Sequence, residues 1–404
     1  MSRNKKTVMI LGASRYYIHS IIKAKEMGLK VLVIDKNPNA EGFKYADYHE
    51  VVDITDIENS IEVAKKYQIA GVVALNDFGV LTQSAIANEL NLVGITPEVA
   101  KYVTNKALMR KIWQKKSVPS PKFRIVKTLE EAYEAIEELN TFPLVVKPAD
   151  SRGGGCRGVR IIRNKNEIEE AVKFAQSFYE DKTILIEEFI NGIEHSLETI
   201  TYNGETYILA ISDKVKVPPP YRVDKSVIYP TKLSGEKLKR LCEIAKKAVQ
   251  ALGITVGAAH VELCTTNNGP KLFEVGARCG GGATPSIIVP FLTGIDMIKE
   301  VIRIHMGEEP ERLKPKYIKG CVYRFITPRP GIIKKIHGLE EIKRWKGILD
   351  CELFVKEGDK VNPVKIGKDR SGFIVAGGET REEAIKLADK AEKALIFEYE
   401  GEER

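Results

Sequence analysis

A lysine at the end of an apolar run leads directly into a glycine-rich stretch, Lys147 to Val159, which contains four glycines and two arginines. The backbone N–H groups of a glycine-rich turn, with fixed cations beside them, suit the oxygen atoms of a phosphate. A flexible hairpin with solvated arginines is the alternative, but such a hairpin has no need of the lysine and arginines beside it. The stretch is not a Walker A loop, because the order G-x-x-x-x-G-K-[ST] is absent.

A second cluster of polar residues, Glu187 to Glu194, follows the apolar run Ile184 to Ile186. It opens with two carboxylates, continues with Phe189 and Ile190, and ends in a carboxylate beyond a turn. Such a segment can hold a purine against its apolar side chains and backbone and bind ribose hydroxyls with the last carboxylate. Taken alone, the pattern equally describes charged residues solvated at a strand end.

Two strand-like runs bracket a turn at Thr266 to Pro270. Glu262 lies on the first run and Glu274 on the second, and their even separation predicts that both project from one face of an antiparallel pair. Two carboxylates there would hold Mg²⁺ together with nucleotide phosphates; exposed glutamates are the alternative, but the flanking residues are apolar. Arg278 would stabilise charge that develops during phosphoryl transfer, and His260 is either a structural histidine or a substrate contact.

In the first hundred residues, runs of β-branched residues alternate with helical patterns, and these elements would help to position the residues described above. This alternation predicts a βαβαβ unit on a parallel sheet. The elements are Thr7 to Leu11, Ile18 to Met27, Val31 to Ile34, Ile57 to Tyr67 and Val72 to Leu75. The turn Gly12-Ala13-Ser14 and Asp35 superficially resemble a dinucleotide-binding turn, but G-x-G-x-x-G is missing. A tight turn and a strand-end carboxylate are the favoured interpretation.

Beyond Val118-Pro119-Ser120-Pro121 the pattern predicts a small α/β unit, then a hairpin and two long helices. The predicted elements are a helix from Lys106 to Lys116, a helix from Thr128 to Leu139, a buried strand from Pro143 to Pro148, a hairpin around Asn203-Gly204, an amphipathic helix from Gly235 to Leu252, and a helix that opens with a capping box at Thr380 and runs to Phe397. No internal repeat is found.

The chain has 404 residues, which is long enough for about three domains. Its 43% hydrophobic and 29% charged residues are typical of a globular enzyme. The net charge of +8 is spread along the chain without basic clusters, so it suits a phosphate-bearing ligand and gives little support to a nucleic-acid partner. The six cysteines form no C-x-x-C pair, which argues against a zinc site or a disulfide framework. No stretch approaches 18 apolar residues and no signal segment is found, so we expect a cytoplasmic protein without a membrane partner.

Taken together, these residues resemble the ATP-grasp superfamily over nearly the whole chain, in its carboxylate–amine (L-amino acid ligase-like) branch. The branch is related to biotin carboxylase and to the domains of the carbamoyl phosphate synthetase large subunit. The resemblance implies an α/β (α+β) ATP-grasp fold. It implies three domains: an N-terminal parallel α/β domain over 1–103, an ATP-grasp domain over 104–315 with a lid over about 119–193, and a closing domain over 316–404.

The family's site residues can be carried over position by position. The resemblance assigns nucleotide binding to Lys106, Lys147, Ser151, Arg152, Gly153, Gly154, Gly155, Gly158, Glu187, Glu188, Phe189, Ile190 and Glu194. It assigns the metal to Glu262 and Glu274, catalysis to Arg278, and substrate contacts to Tyr221, Asp224, His260 and Gly281. The implied cofactors are ATP and one or two Mg²⁺ ions, with Mn²⁺ as the alternative metal.

The implied activity is an ADP-forming ligase that activates a carboxylate as an acyl phosphate and couples it to an amine, forming an amide or peptide bond. Small-molecule substrates and a homodimer are expected. The chain departs from the family at Gly276, where the usual run E-x-N-x-R has an asparagine ligand. A carbamate- or formyl-phosphate-forming enzyme and an ATP-binding sensor without turnover are the alternatives.

Overall fold

The computed structural model describes residues 5–152 and 155–401. Its N-terminal region is a four-stranded parallel sheet in the order β3-β2-β1-β4, flanked by helices. The elements are β1 (Thr7–Leu11), α1 (Ile18–Glu26), β2 (Lys30–Ile34), β3 (Tyr48–Glu50), α2 (Ile57–Lys66), β4 (Gly71–Ala74) and α3 (Val80–Glu89). The predicted strands and helices are confirmed. Strand β3 escaped prediction because it has only three residues and no apolar run.

Two short helices lead from this sheet to a second unit, in which two helices cover an antiparallel sheet in the order β5-β8-β6-β7. The elements are α4 (Pro97–Val103), α5 (Lys106–Lys115), β5 (Phe123–Val126), α6 (Leu129–Leu139), β6 (Leu144–Pro148), β7 (Arg160–Ile162), α7 (Ile168–Gln176) and β8 (Ile184–Glu188). Helix α6 begins with a capping box in which Thr128 and Glu131 satisfy each other's backbone N–H groups. The unit has its own hydrophobic core.

The rest of the chain builds an eight-stranded antiparallel sheet in the order β13-β12-β9-β10-β11-β14-β18-β16, with a small sheet β17-β15-β19 beside it. The elements are β9 (Ile193–Tyr202), β10 (Glu205–Lys216), β11 (Asp224–Tyr229), α8 (Gly235–Ala251), β12 (Gly257–Thr266), β13 (Gly269–Gly276), α9 (Val289–Thr293), α10 (Met297–His305), β14 (Gly320–Ile326), β15 (Gly331–His337), α11 (Leu339–Ile342), β16 (Ile348–Leu353), β17 (Lys360–Val361), β18 (Gly372–Gly378), α12 (Arg381–Ala394) and β19 (Ile396–Tyr399).

The predicted final helix to Phe397 is wrong at its C-terminal end. Helix α12 begins at the predicted Thr380 cap but ends at Ala394. Leu395 is extended, and Ile396 and Phe397 pair with β15 instead. A β-branched and an aromatic residue suit this half-buried strand, so pairing with a neighbouring strand outweighs the helical pattern that precedes it.

One hydrophobic core joins the N-terminal sheet to the large sheet. Val8 and Val31 of the parallel sheet, Val301 of α10, and Ile200 and Leu209 of β9 and β10 all belong to it. The carboxyl ends of β1, β2 and β4 therefore face the large sheet across a cleft. The domain boundaries at 103 and 315 stay predictions, and the second of them falls just before β14, which lies in the same sheet as β11.

Candidate active site

The parallel sheet, the second unit and the large sheet enclose a cavity of about 1070 Å³. Polar residues that follow β1, β2 and β4 line one wall, as expected where the carboxyl ends of parallel strands meet. The strands β6, β8, β12 and β13 supply the opposite walls. Most of the site residues predicted from the sequence reach this single space.

Lys147 lies on β6 with its side chain buried against β8. Its Nζ is 2.5 Å from Glu187 Oε2, and Arg110 Nε of α5 donates to Glu187 Oε1 at 2.6 Å. Burial lowers the pKa of Lys147 to about 8, although the Glu187 carboxylate opposes the shift. Glu187 therefore anchors both cations, and like Lys147 it lines the cavity.

Lys106 is the first residue of α5, which Asn105 caps by accepting the N–H of Leu108. Its backbone N–H donates to Ala149 O at 2.7 Å, and its Nζ lies 3.0 Å from Glu274 Oε1. Lys106, at the start of α5, and Lys147, on β6, therefore line the same cavity.

The glycine-rich stretch is only partly in contact with the cavity. Ser151 and Gly155 line it, whereas Arg152 turns to Asp150, with Nη2 2.5 Å from Oδ2. Gly158 lies behind the loop, where an added Cβ would be 2.7 Å from Pro148 Cγ. Gly153 and Gly154 lie outside the described residues.

The segment after β8 forms the next part of the wall, and Glu188, Phe189 and Ile190 line the cavity there. Glu194, at the start of β9, is 2.8 Å from Lys216 Nζ and also binds Arg222. Burial raises the pKa of Glu194, but these two cations outweigh it and hold that pKa below its usual value. The predicted ribose carboxylate is thus ionised and oriented.

Glu262 and Glu274 stand directly opposite each other across β12 and β13, as the sequence predicted. Glu262 binds Lys214 of β10, and His260 Nε2 lies 3.3 Å from Glu262 Oε1. Although burial acts to raise the pKa of Glu262, Lys214 and His260 keep it well below the usual range. Both carboxylates line the cavity, each paired with a lysine, Glu262 with Lys214 and Glu274 with Lys106.

His260 is a hydrogen-bonded cation. Its Nδ1 lies 2.7 Å from Oε1 of the fully buried Glu198. Burial alone would lower the pKa of His260, but the Glu198 and Glu262 carboxylates raise it to about 9. A histidine that is protonated at neutral pH contributes positive charge to the site.

Arg278 follows β13 and pairs bidentately with Asp77, with Nε at 2.7 Å and Nη2 at 2.9 Å from the carboxylate. Asp77 follows β4 of the parallel sheet, so this pair connects the two walls of the cavity. The glycine at 276 is explained here, because an added Cβ would lie 3.1 Å from Asp77 Oδ1 and 3.5 Å from Arg278 Cζ. A side chain at position 276 would therefore crowd the Asp77–Arg278 pair unless that pair moved slightly.

The predicted substrate residues divide between two places. Asp224, His260 and Gly281 line the cavity, and Asp224 pairs with Lys216 at 2.6 Å. Tyr221 is not among the lining residues and packs toward Phe174, with ring centroids 5.9 Å apart.

Several lining residues were missed by sequence reasoning. They are Tyr16, Tyr17, Asn76, Asp77, Lys214, Tyr323, Phe325, Phe354, Lys368 and Arg370. Asn76 and Asp77 could have been predicted from the sequence, because polar residues that closely follow a parallel strand often line a binding site. The last five lie in or after β14, β16 and the loop before β18, and nothing in their local pattern connects them to the glycine-rich stretch.

Comparison with known proteins agrees with this geometry. Residues 140–286 match the model of the ATP-grasp domain, and residues 324–400 match that of the L-amino acid ligase C-terminal domain 2. The L-arginine-specific L-amino acid ligase of Bacillus subtilis is 28% identical over 346 residues, covering 82% of this chain and 81% of that protein.

Solved structures show the same fold. The L-amino acid ligase of Bacillus licheniformis superposes with a TM-score of 0.84 at 24% identity, covering 99% of this chain and 100% of that one. The biotin carboxylase domain of the Hydrogenobacter thermophilus 2-oxoglutarate carboxylase, solved with MgADP, ADP and bicarbonate, has a TM-score of 0.76 at 19% identity, covering 97% and 90%. The predicted resemblance and fold class are confirmed, because the chain contains an ATP-grasp domain followed by an L-amino acid ligase C-terminal domain 2.

Proposed function

We infer that this chain is an ATP- and magnesium-dependent, ADP-forming ligase that phosphorylates a small-molecule carboxylate and transfers the acyl group to an amine. The observation that carries the proposal is one cavity in which two lysines, a glycine-rich loop and two opposed carboxylates meet. Each supplies one requirement of phosphoryl transfer: fixed cations, backbone donors and oxygen ligands for a metal. The similarity to L-amino acid ligases supports the same reaction class.

The donor set fits magnesium. Among residues 5–152 and 155–401, no three His, Cys, Asp or Glu side chains group as a complete metal site. Mg²⁺ is usually held by one or two carboxylates, with water and substrate phosphates completing its shell. Glu262 and Glu274 would hold it, and when bound it would neutralise charge on the triphosphate oxygens. We propose one or two ions here, with Mn²⁺ as an alternative.

In the first step, a carboxylate oxygen of the substrate attacks the terminal phosphorus, the bond to the bridging oxygen breaks, and ADP leaves. Lys106 and Lys147 would hold the triphosphate in line for this attack. Arg278 would stabilise the charge that spreads over the transferred group. Its pairing with Asp77 fixes the guanidinium before substrate arrives.

In the second step, the amine attacks the acyl carbon, the C–O bond to the phosphate breaks, and inorganic phosphate leaves with the bridging oxygen and takes up the proton that the amine loses. An acyl phosphate is easily lost to water, so the loop over Ser151 to Gly158 must cover the site during its lifetime. His260 lies between the Glu198 and Glu262 carboxylates, so we assign it to charge stabilisation beside Glu262.

An ADP-release screen tests the proposal. The full chain is mixed with MgATP and pooled carboxylic acids, with and without pooled amines. ADP release that needs both pools supports the ligase, and release with the acids alone would favour the carbamate- or formyl-phosphate-forming alternative. ATP binding with no ADP release under any pool would contradict the proposal. The homodimer and the cytoplasmic location stay predictions; within the described residues no helix has the length and apolar character to cross a membrane.

A further inference from the structure

Glu198 is a carboxylate that the two reaction steps above do not use. It lies on β9, is fully buried and is not among the residues that line the cavity. Among residues 5–152 and 155–401, its single ion-pair partner is His260. Burial acts to raise the pKa of Glu198, but His260, the Gly280 N–H group and Arg278 hold that pKa below its usual value. Replacing a buried ion pair by apolar side chains is often neutral or stabilising, so stability alone does not explain a carboxylate at this position.

The two oxygens of this carboxylate hold two different elements. His260 of β12 stands directly opposite Glu198 of β9, and its Nδ1 lies 2.7 Å from Glu198 Oε1. The N–H of Gly280, in the loop after β13, donates to Oε2 at 2.9 Å. An ionised carboxylate only accepts hydrogen bonds, so Nδ1 carries a proton and is the donor. One side chain therefore joins β9, β12 and the loop after β13.

Glu198 packs so closely against this loop that only glycine fits at position 280. An added Cβ there would lie 2.9 Å from Glu198 Cδ and closer still to Oε1. At Gly281, by contrast, an added Cβ would have no described neighbour within 4 Å, and this residue lines the cavity. Glu198 thus supports the loop from the side that faces away from the cavity.

The same carboxylate orients the His260 ring. Because Glu198 holds Nδ1, the ring presents Nε2 to Glu262 Oε1 at a distance of 3.3 Å. A hydrogen bond to one ring nitrogen of a histidine fixes the direction in which the other nitrogen acts. The charge of His260 is therefore directed at the proposed magnesium site.

Glu198 also restrains Arg278, through one peptide group. The carbonyl oxygen of Cys279 accepts a hydrogen bond from Arg278 Nη1 at 2.8 Å. This carbonyl and the N–H of Gly280 belong to the same planar peptide, so the group is held by Arg278 on one side and by Glu198 on the other. A displaced Glu198 would release the peptide that the guanidinium contacts.

We propose that Glu198 is a positioning residue for phosphoryl transfer, which holds His260 and, through the Cys279–Gly280 peptide, Arg278 in the orientation that stabilises the developing charge. The inference rests on the proposed ligase activity. Fixed charges of this kind accelerate a reaction because they need no reorganisation when the charge develops. Since Glu198 does not reach the cavity, its removal should slow the step and leave nucleotide binding intact.

Proton NMR of the histidine ring N–H groups in the full chain tests the positioning without turnover. We expect the Nδ1–H signal of His260, assigned by its loss in His260→Gln, to lie far downfield because the bond to the carboxylate is short. Glu198→Gln keeps the size of the side chain and should shift or remove this signal. The ring signal of His195, which lies on the same strand 3.0 Å from Asp213, should stay unchanged and report an intact fold.

ADP release, with the acid and amine that are most active in the pooled screen, tests the function. We expect Glu198→Gln to lower kcat by about ten- to a hundredfold, a usual effect of removing a partner that orients a functional group, and to leave the KM of ATP unchanged. The exposed Glu205→Gln on β10 is the matched control and should change neither constant. Because Glu198 acts partly through His260, Glu198→Gln should lower kcat less in a His260→Gln background than in the wild type.

A second variant reaches the same contact from the loop. In Gly280→Ala the added Cβ crowds the Glu198 carboxylate, so kcat should fall here as well, and the inference can be tested even if Glu198→Gln does not fold. An unchanged His260 signal or an unchanged kcat in folded Glu198→Gln would overturn the positioning role, and so would a raised KM of ATP with normal kcat. A His260 signal that depends on Glu198, in a wild-type chain that releases no ADP with any acid and amine, would refute the ligase and leave the orientation of His260 standing.

Discussion

The two ends of the cavity differ in the type and the pairing of the side chains that line them. At the end with Lys147, Glu262 and Glu274, the charged side chains come mainly from strands and are paired with opposite charges. At the end with Phe354 and Arg370, the side chains come from C-terminal strands and a loop and are aromatic or unpaired. Mutual pairing fixes each group at the cost of its solvation. The difference teaches that the charged groups at the first end are held in place by one another, while the groups at the second end are open to a ligand.

The largest effect should come from the opposed carboxylates. We expect Glu274→Gln to lower the rate of ADP formation by at least about a hundredfold, because it removes one of the two carboxylates that would hold magnesium beside the phosphates. The exposed Glu236→Gln on α8 is the control and should leave the rate unchanged. A coupled assay for ADP with circular dichroism of the fold makes the measurement. Normal ADP formation by Glu274→Gln would contradict the assignment of phosphoryl transfer to the end of the cavity that contains Glu274.

The next effect concerns stability. Arg110→Met leaves the buried Glu187 with only Lys147 as partner, and we expect a loss of about 3–5 kcal/mol in the free energy of unfolding. Arg124→Met breaks an exposed pair with Glu138 and should cost no more than about 1 kcal/mol. Urea denaturation of both variants measures the difference. Similar losses in the two would show that pairing does not make this end rigid.

A smaller effect is a proton taken up with ATP. Burial places the pKa of Lys147 at about 8 in the free protein, and nearby phosphate oxygens would raise it. Binding at pH 8.5 should therefore take up part of one proton, and binding at pH 6.5 should take up none through this residue. In the absence of ligand, the pKa of Lys147 also affects the free energy of unfolding. Between about pH 8 and 10.5 the folded state binds fewer protons at Lys147 than the unfolded chain does, so the contribution of Lys147 to stability increases as the pH rises.

Calorimetry in buffers of different ionisation enthalpy measures that uptake. Lys147→Gln should lose it while the fold is retained. An uptake that persists unchanged in Lys147→Gln would assign the proton to another group.

The smallest effect should come from the far end. We expect Phe354→Ala to raise the KM of one substrate several-fold and to leave the KM of ATP unchanged, because the ring lines only that end of the cavity. Tyr317→Ala, a change of an equally exposed ring outside the cavity, is the control. Steady-state kinetics decide between them. An altered KM for ATP in Phe354→Ala would mean that the two ends are not separate.

The same contrast explains how much could be predicted from the sequence. Lys147, Glu262 and Glu274 were found because each lies on a strand, where register and period fix the direction of a side chain. The parallel sheet was found because its apolar runs are continuous. Asp77 was missed because its partner Arg278 lies 201 residues away in the sequence, and Arg370 was missed because its loop meets the glycine-rich stretch only through the contact of Gly367 with Gly155. The C-terminal end of α12 was predicted wrongly because Ile396 and Phe397 pair with β15 instead of continuing the helix.

The continuous sheet also limits how this chain can be divided. Strand β11 pairs on one side with β10 and on the other with β14, which begins five residues after the predicted boundary at 315. A shortened chain that ended at 315 would expose the backbone donors and acceptors of β11 as an open edge, which invites intermolecular pairing. It would also lose Arg381, whose guanidinium lies 2.9 Å from Asp213 of β10. We therefore expect the C-terminal ninety residues to be inseparable from the nucleotide-binding body, so exchange of this segment between relatives should yield aggregated protein unless β11 is exchanged with it.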